Sequence, residues 1–221
     1  SRNHHLRFAG IATLEVCGNI LGVLGLIYAG SGLFQVVYSS VVLFTALLSK
    51  IFLRRSPQPK QWLALLLITT GLALSALGGA RAVASPTKTD LEQQASQLKT
   101  TMIGVGLTML CATLYASSYV CVEWILQDAA DPPSARDLQA YAGFYGLCII
   151  MVYTVVHTIP NWSTLVIANV AAKNGNLAWV YACYLLIALS GFFHSVSYYK
   201  LVGSVGAVST GVLQSLRAVS V

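Results

Sequence analysis

Charge is what this sequence has least of. Aspartate, glutamate, lysine and arginine make up only 9% of the 221 residues, against roughly a quarter in soluble domains, and 56% are hydrophobic. A soluble chain of this length has too much surface to cover with so few charges. Also lacking are the patterns that carry membrane chemistry: the spans offer only isolated acids and no constellation of two positioned acids, a catalytic Ser–Lys or Ser–His pair, or a metal motif such as H-E-x-x-H. An enzyme is therefore not expected. The cysteines (Cys17, Cys111, Cys121, Cys148 and Cys183) are odd in number, lie inside apolar segments and show no paired short spacing. They read as buried small residues, and no metal or cofactor is expected. The net charge of +6 is spread singly; the one cluster, Arg54, Arg55 and Lys60, is too small to track a phosphate backbone. Nucleic acid is excluded as a partner.

What the chain does contain is hydrophobic runs. A helix needs about 20 residues to cross a hydrocarbon core of about 30 Å. Six runs qualify, at 8–29, 31–53, 61–80, 101–126, 138–159 and 177–199, and a seventh, 204–221, ends with the chain. They are separated by the 54–60 segment, a polar stretch at 81–100 and an acidic turn with Pro132-Pro133. The expected fold is an all-α integral membrane bundle, with bends in the second and third spans at Gly or Ser. Basic residues fall eight to four on alternate sides of these spans, which places the amino terminus and 54–60 in the cytosol. Asn161-Trp162-Ser163 then lies on the lumenal side as a glycosylation triplet that would report topology. Helix contacts are expected at small residues, namely Gly18, Gly22 and Gly25 on one face of the first span, and Gly143 and Gly146 on the fifth.

Gly18 followed by Gly30-Ser31 recurs as Gly191 followed by Gly203-Ser204 at the same internal spacing. The first span then corresponds to the sixth, an odd offset, so the copies cross the membrane in opposite directions. That is the inverted repeat of many secondary transporters. Five spans per repeat make ten in all, and the chain is expected to be a fragment of such a bundle. Residues 1–80 supply three helices of the first repeat, 81–100 a lumenal loop, and 101–221 a second repeat cut in its fourth helix.

The stretch 32–79, with Phe34-Gln35, Phe44-Thr45, Arg55, Gln61-Trp62 and Gly71, resembles the fourth and fifth helices of the drug/metabolite transporter superfamily. Within it, the resemblance is to nucleotide-sugar-transporter-like carriers of eukaryotic internal membranes. "GLTMLCATLYASSYVCVEWIL" resembles the sixth helix, with Glu123 at the acidic position, and "ARDLQAYAGFYG" the start of the seventh. "LQSLRAVSV" is similar to the ninth helix of chloroquine-resistance-transporter-like proteins. The resemblance implies ten helices in two inverted repeats, in a Golgi, endoplasmic reticulum or lysosome/vacuole membrane. It also implies a lysine where this chain has Val41, a departure that counts against sialic-acid and galactose nucleotides as substrates.

A translocation path needs polar residues aligned on inward faces. Glu15, Asn19 and Gly22 lie at i, i+4, i+7; Gln35, Tyr38, Thr45 and Ser49 follow along the second span; Thr108 and Tyr115 do so on the fourth. Thr210, Gln214 and Arg217 form the clearest stripe. For a lone hydroxyl the competing reading is an ordinary interhelical bond. Lys50 and Lys200 sit near span ends and read as anchors, Glu123 lies near an end, and His157 and His194 read first as structural groups. Arg217, about 20 Å into the membrane, costs about 2.5–3.5 kcal/mol if it faces lipid. It is expected to face the cavity and meet a substrate anion or a carboxylate, with Glu15 as the candidate partner. The substrate-binding candidates are thus Arg217, Gln214, Thr210, Gln35, Tyr38, Asn19, Glu15 and Tyr115. The expected partners are the bilayer, a small molecule (nucleotide sugar, amino acid, peptide or drug-like cation) and, as a further arrangement, a second copy in a homodimer. The alternative to a carrier is a non-transporting membrane protein.

Overall fold

In a computed structural model the described residues are mostly helical, and no strand occurs among them. These are residues 2–54, 91–127, 132–173 and 175–216, together with Trp62, Leu63, Leu66, Leu67, Thr70, Gly71 and Leu74. Helix α1 covers Arg2–Ala29, α2 Ser31–Tyr38, α3 Val41–Phe52 and α4 Leu91–Leu126. Helix α5 covers Ala135–Tyr153, α6 Asn169–Ala172, α7 Leu177–Val205 and α8 Ala207–Leu216. Among the described residues five helices are long and apolar enough to cross a membrane: His4–Ala29, Ser31–Phe52, Leu98–Leu126, Ala135–Thr158 and Leu177–Val205. The all-α membrane architecture expected from composition is what the structure has. The span expected at 61–80 lies mostly outside the described residues.

Two compact units divide the chain, one of Ser1–Thr13 with Pro133–Leu201, the other of Leu14–Pro132 with Val202–Val221. The second unit holds the later part of α1, with α2, α3, α4 and α8, around a core of Val41, Val42, Cys111, Ala112, Ala116 and Val122. Gly18, Gly22 and Gly25 are all buried against α4, as their shared face predicts. A Cβ on Gly18 would sit 3.3 Å from Tyr115, one on Gly22 3.1 Å from the Cys111 sulfur, and one on Gly25 2.5 Å from the Thr108 hydroxyl. From the other side, a Cβ on Gly104 would meet the backbone of Tyr28 and Ala29. Lipid tails give no hydrophobic force between helices, so this close approach is what holds α1 on α4.

Gly30 separates α1 from α2 with φ 77° and ψ 160°, a region that only glycine enters freely. Between α2 and α3 the break is milder. The Ser39 hydroxyl donates to the Gln35 carbonyl at 2.7 Å, and the Ser40 and Val42 amides bond three residues back. Back-bonding serines bend a helix in this way, so Ser31–Phe52 remains one bent span, as anticipated.

The first unit begins with the start of α1 on α5. After Pro132-Pro133, Ser134 caps α5: its oxygen accepts from the Asp137 amide at 3.1 Å and its hydroxyl donates to the Asp137 carboxylate at 2.7 Å. Phe8 stacks on Tyr141 at 5.7 Å, His5 meets Tyr141 edge-on at 5.1 Å, and the Tyr145 hydroxyl lies 3.1 Å from His5 Nδ1. Beyond α5 the chain passes through two π-helical segments, Thr154–Thr158 and Ser163–Ala168.

Several expectations need correction. Residues 91–100 are helix, not loop, because Leu91-Glu92-Gln93-Gln94-Ala95 is a run of good helix formers that extends α4 outward. The repeat does not turn at Gly203-Ser204: both stay inside α7, and the positive φ falls three residues on, at Gly206, with φ 85°. Gly143 is exposed and a Cβ there would meet nothing within 4 Å, so it is not a packing site among the described residues. Only Cys111 is buried; Cys17, Cys148 and Cys183 are exposed, since an apolar thiol is as much at home in lipid as in a core.

Candidate functional site

The polar residues that come together do so in the second unit, where α1, α2 and α4 meet. Glycine contacts bring α1 close enough for the Ser118 hydroxyl of α4 to donate to Glu15 Oε1 at 3.2 Å. Ser118 is fully buried and Glu15 half-buried. Tyr115, one turn away on α4, packs over Gly18 and meets Tyr38 of α2 edge-on at 6.0 Å. Tyr119 adds a tilted ring 6.3 Å from Tyr115 and a side-chain hydrogen bond with Tyr38, while Phe34 stacks on Tyr38 at 5.6 Å. A carboxylate, a buried hydroxyl and three phenols therefore lie together inside membrane-crossing helices. Such a group is expensive to place in a bilayer, and intramembrane acids mark transport paths or structural pairs.

Of the candidates read from sequence, Glu15, Tyr38 and Tyr115 belong to this group. Gln35 is half-buried on α2, one turn before Tyr38. Asn19 is exposed, and its side-chain amide donates to the Glu15 carbonyl at 3.1 Å. Thr210 is fully buried, with its hydroxyl donating to the Gly206 carbonyl at 2.8 Å. Thr45 and Thr108 are likewise fully buried and bonded to the carbonyls of Val41 and Gly104. Those two hydroxyls are satisfied within their own helices, not by the interhelical bonds of the competing reading. Gln214 lies on α8, but its side chain, like the whole of Arg217, falls outside the described residues. Lys50 and Lys200 are exposed near helix ends, as anchors should be, and His157 stacks on Tyr153 at 5.1 Å. Among the described residues no group of His, Cys, Asp and Glu could hold a metal ion.

Sequence reasoning missed three things. Ser118 and Tyr119 share a helical face with Tyr115 at i+3 and i+4, a spacing legible in "LYASSYV". The His5, Phe8, Tyr141 and Tyr145 cluster had a weaker signal, aromatic residues one turn apart on two helices. The third is Glu123, read as a residue near a span end. It is only 4% exposed, and its two oxygens accept from the Ala207 amide at 2.7 Å and from the Gln127 side chain at 3.2 Å. Its partner lies 84 residues away in sequence, so no local pattern could reveal it.

Comparison with known proteins gives these helices a context. A family model described as nucleotide-sugar transporter matches residues 2–201. An uncharacterized protein of Schizosaccharomyces pombe is 24% identical over 153 residues, covering 69% of this chain and 43% of that protein. The chain thus spans less than half the length of the curated relative it matches. No solved structure matches it. The match of the family model runs from α1 through nearly all of α7, so it embraces five apolar membrane-crossing helices and the Glu15–Ser118–Tyr115 group between them. On that extent the chain belongs to the nucleotide-sugar transporter family, a family of multi-pass membrane transporters.

Proposed function

We propose that the protein is a carrier that moves a small polar or charged metabolite across an internal membrane by alternating access of two inverted five-helix repeats. The observation that carries this reading is the Glu15–Ser118 bond within the Tyr38, Tyr115 and Tyr119 group. A scaffold helix has no need of a carboxylate and three phenols inside the membrane, whereas a substrate path needs wet, oriented polar groups there. Glu15, Asn19, Gln35, Tyr38 and Tyr115 are the proposed contacts on α1, α2 and α4, with Thr210 and Gln214 on α8 and Arg217, which lies outside the described residues, as further proposed contacts. Arg217 would bind an anionic group of the substrate or pair with a carboxylate.

Substrate class follows from Val41. It is fully buried in the core of α3, at the position where the family resemblance places a lysine. A valine offers no charge to a phosphate, so sialic-acid and galactose nucleotides are expected to be poor substrates. The test is counterflow in liposomes carrying the full-length protein, with nucleotide sugars, amino acids, small peptides and cationic drugs presented in turn. Saturable exchange of at least one class other than those two nucleotides is expected. Absence of saturable exchange for every class would favour a non-transporting protein, and robust exchange of a sialic-acid or galactose nucleotide would overturn the reading of Val41.

A further inference from the structure

Among the described residues two sharp helix breaks fall at positive-φ glycines, Gly30 and Gly206, and their surroundings differ. At Gly30 the new helix, α2, starts with no side-chain cap, and a Cβ would meet nothing within 4 Å. At Gly206 the surroundings are crowded. A Cβ there would lie 3.1 Å from Glu123 Oε1, and one on Gly203 3.4 Å from Leu126. The first amides of any helix lack intrahelical partners. Neither Val205 nor Gly206 has a side chain that could serve α8. The cap comes instead from α4, where Glu123 Oε2 accepts the Ala207 amide at 2.7 Å, the length of a charge-assisted bond. Gln127, just past the end of the same helix, donates its side-chain amide to the other oxygen. Ala207 is fully buried and Glu123 nearly so. Gly30, Ser31 and Gly32 are exposed, whereas Ala207 is fully buried, so the helix start after Gly206 needs an acceptor from within the protein and the one after Gly30 does not. Burying one is costly unless its bonds do something that an apolar residue could not.

We propose that Glu123 is a positioning residue of the carrier. By gripping the first amide of α8 it fixes the direction and register of the helix that carries Thr210. The negative end it offers also matches the positive end of the helix dipole, so the grip depends on both the acceptor and its charge. Further along α8, Gly211 rests on α3, with its would-be Cβ 3.8 Å from Thr45 Cβ, which is the Cβ separation of a disulfide. Register at that contact is therefore measurable by cross-linking.

The proposal rests on the transport reading for its consequence, but its geometry is tested separately. In a cysteine-free, full-length background, Thr45→Cys with Gly211→Cys is oxidised in membranes, with Glu123 kept or changed to Gln or Ala. Rapid cross-linking is expected with Glu123, at most threefold slower cross-linking with Glu123→Gln, which keeps an acceptor oxygen, and about tenfold slower with Glu123→Ala. In liposomes, Glu123→Ala is expected to raise the half-saturation concentration about tenfold with little change in maximal rate per molecule, and Glu123→Gln to restore most of it. If Glu123→Ala fails to reach the membrane, Glu123→Asp, whose carboxylate is withdrawn by about 1.5 Å, carries the same test. Cross-linking unchanged in the Ala or Asp variant overturns the proposal, as does a half-saturation concentration unchanged while cross-linking falls. If the unaltered protein transports nothing but the cross-linking order holds, the carrier reading has failed and the grip on α8 stands.

Discussion

Helix α1 packs by two different means along its length. Its first turns, in one unit, are held by rings, with Phe8 flat on Tyr141 and His5 against both Tyr141 and Tyr145. A Cβ on Gly10, in that stretch, would meet nothing within 4 Å. From Leu14 onward, in the other unit, the helix is held by what it lacks. Gly18, Gly22 and Gly25 let α4 approach until a single added carbon would be tight against Tyr115 and Cys111 and would collide with Thr108. Ring packing fills space and leaves none for a ligand. Glycine packing brings backbones together and lets the neighbouring positions, Glu15 and Asn19, carry polar groups at the edge of the contact. The proposed substrate contacts lie in the glycine half, and this difference explains why.

The sharpest way to break the comparison is to fill a glycine. Gly104→Leu would drive a side chain into the backbone of Tyr28 and Ala29, at the upper end of overpacking costs, about 3 kcal/mol or more. Loss of monodisperse protein on detergent extraction is expected. Gly143→Leu, at an open glycine, is expected to extract normally. Equal behaviour of the two would show that glycine content, not close approach, governs the bundle.

Smaller effects are expected in the ring half, where lipid is as apolar as the core and the transfer term drops out. Phe8→Ala should cost about 1.5 kcal/mol, the upper range of an aromatic pair beyond its area. Tyr145→Phe should cost only about 0.6 kcal/mol, the average for a hydrogen bond between membrane helices. Thermal unfolding of the purified protein in a fixed detergent reads both, and a larger loss from Tyr145→Phe than from Phe8→Ala would reverse the assignment.

The same contrast governs what could be read before the structure. Glycines at three- and four-residue spacing announce a helix contact by themselves, so the Gly18–Gly22–Gly25 face and its burial were legible. Span positions followed from hydropathy, with end errors where polar but helix-favouring residues, such as 91–97, lengthen a helix beyond the membrane. Tyr115 and Glu15 were legible as polar groups on apolar helices. Glu123 was not, because its meaning lies in the Ala207 amide, a backbone group whose need for a partner arises only once Gly206 has broken the chain's helical course. Thr210 is a related case: its hydroxyl donates to the Gly206 carbonyl of its own helix, a bond that the spacing of polar residues does not distinguish from a contact with a ligand.

The central claim is that the polar group on the glycine half of α1 lies on a substrate path. The direct measurement is saturable uptake into liposomes by the full-length protein, using whichever substrate class exchanges, compared with Glu15→Gln and Tyr115→Ala at matched membrane abundance. Uptake reduced about tenfold or more in both variants, with Phe8→Ala retaining most of its activity per folded molecule, is the expected result. Unchanged uptake in both Glu15→Gln and Tyr115→Ala would contradict the account.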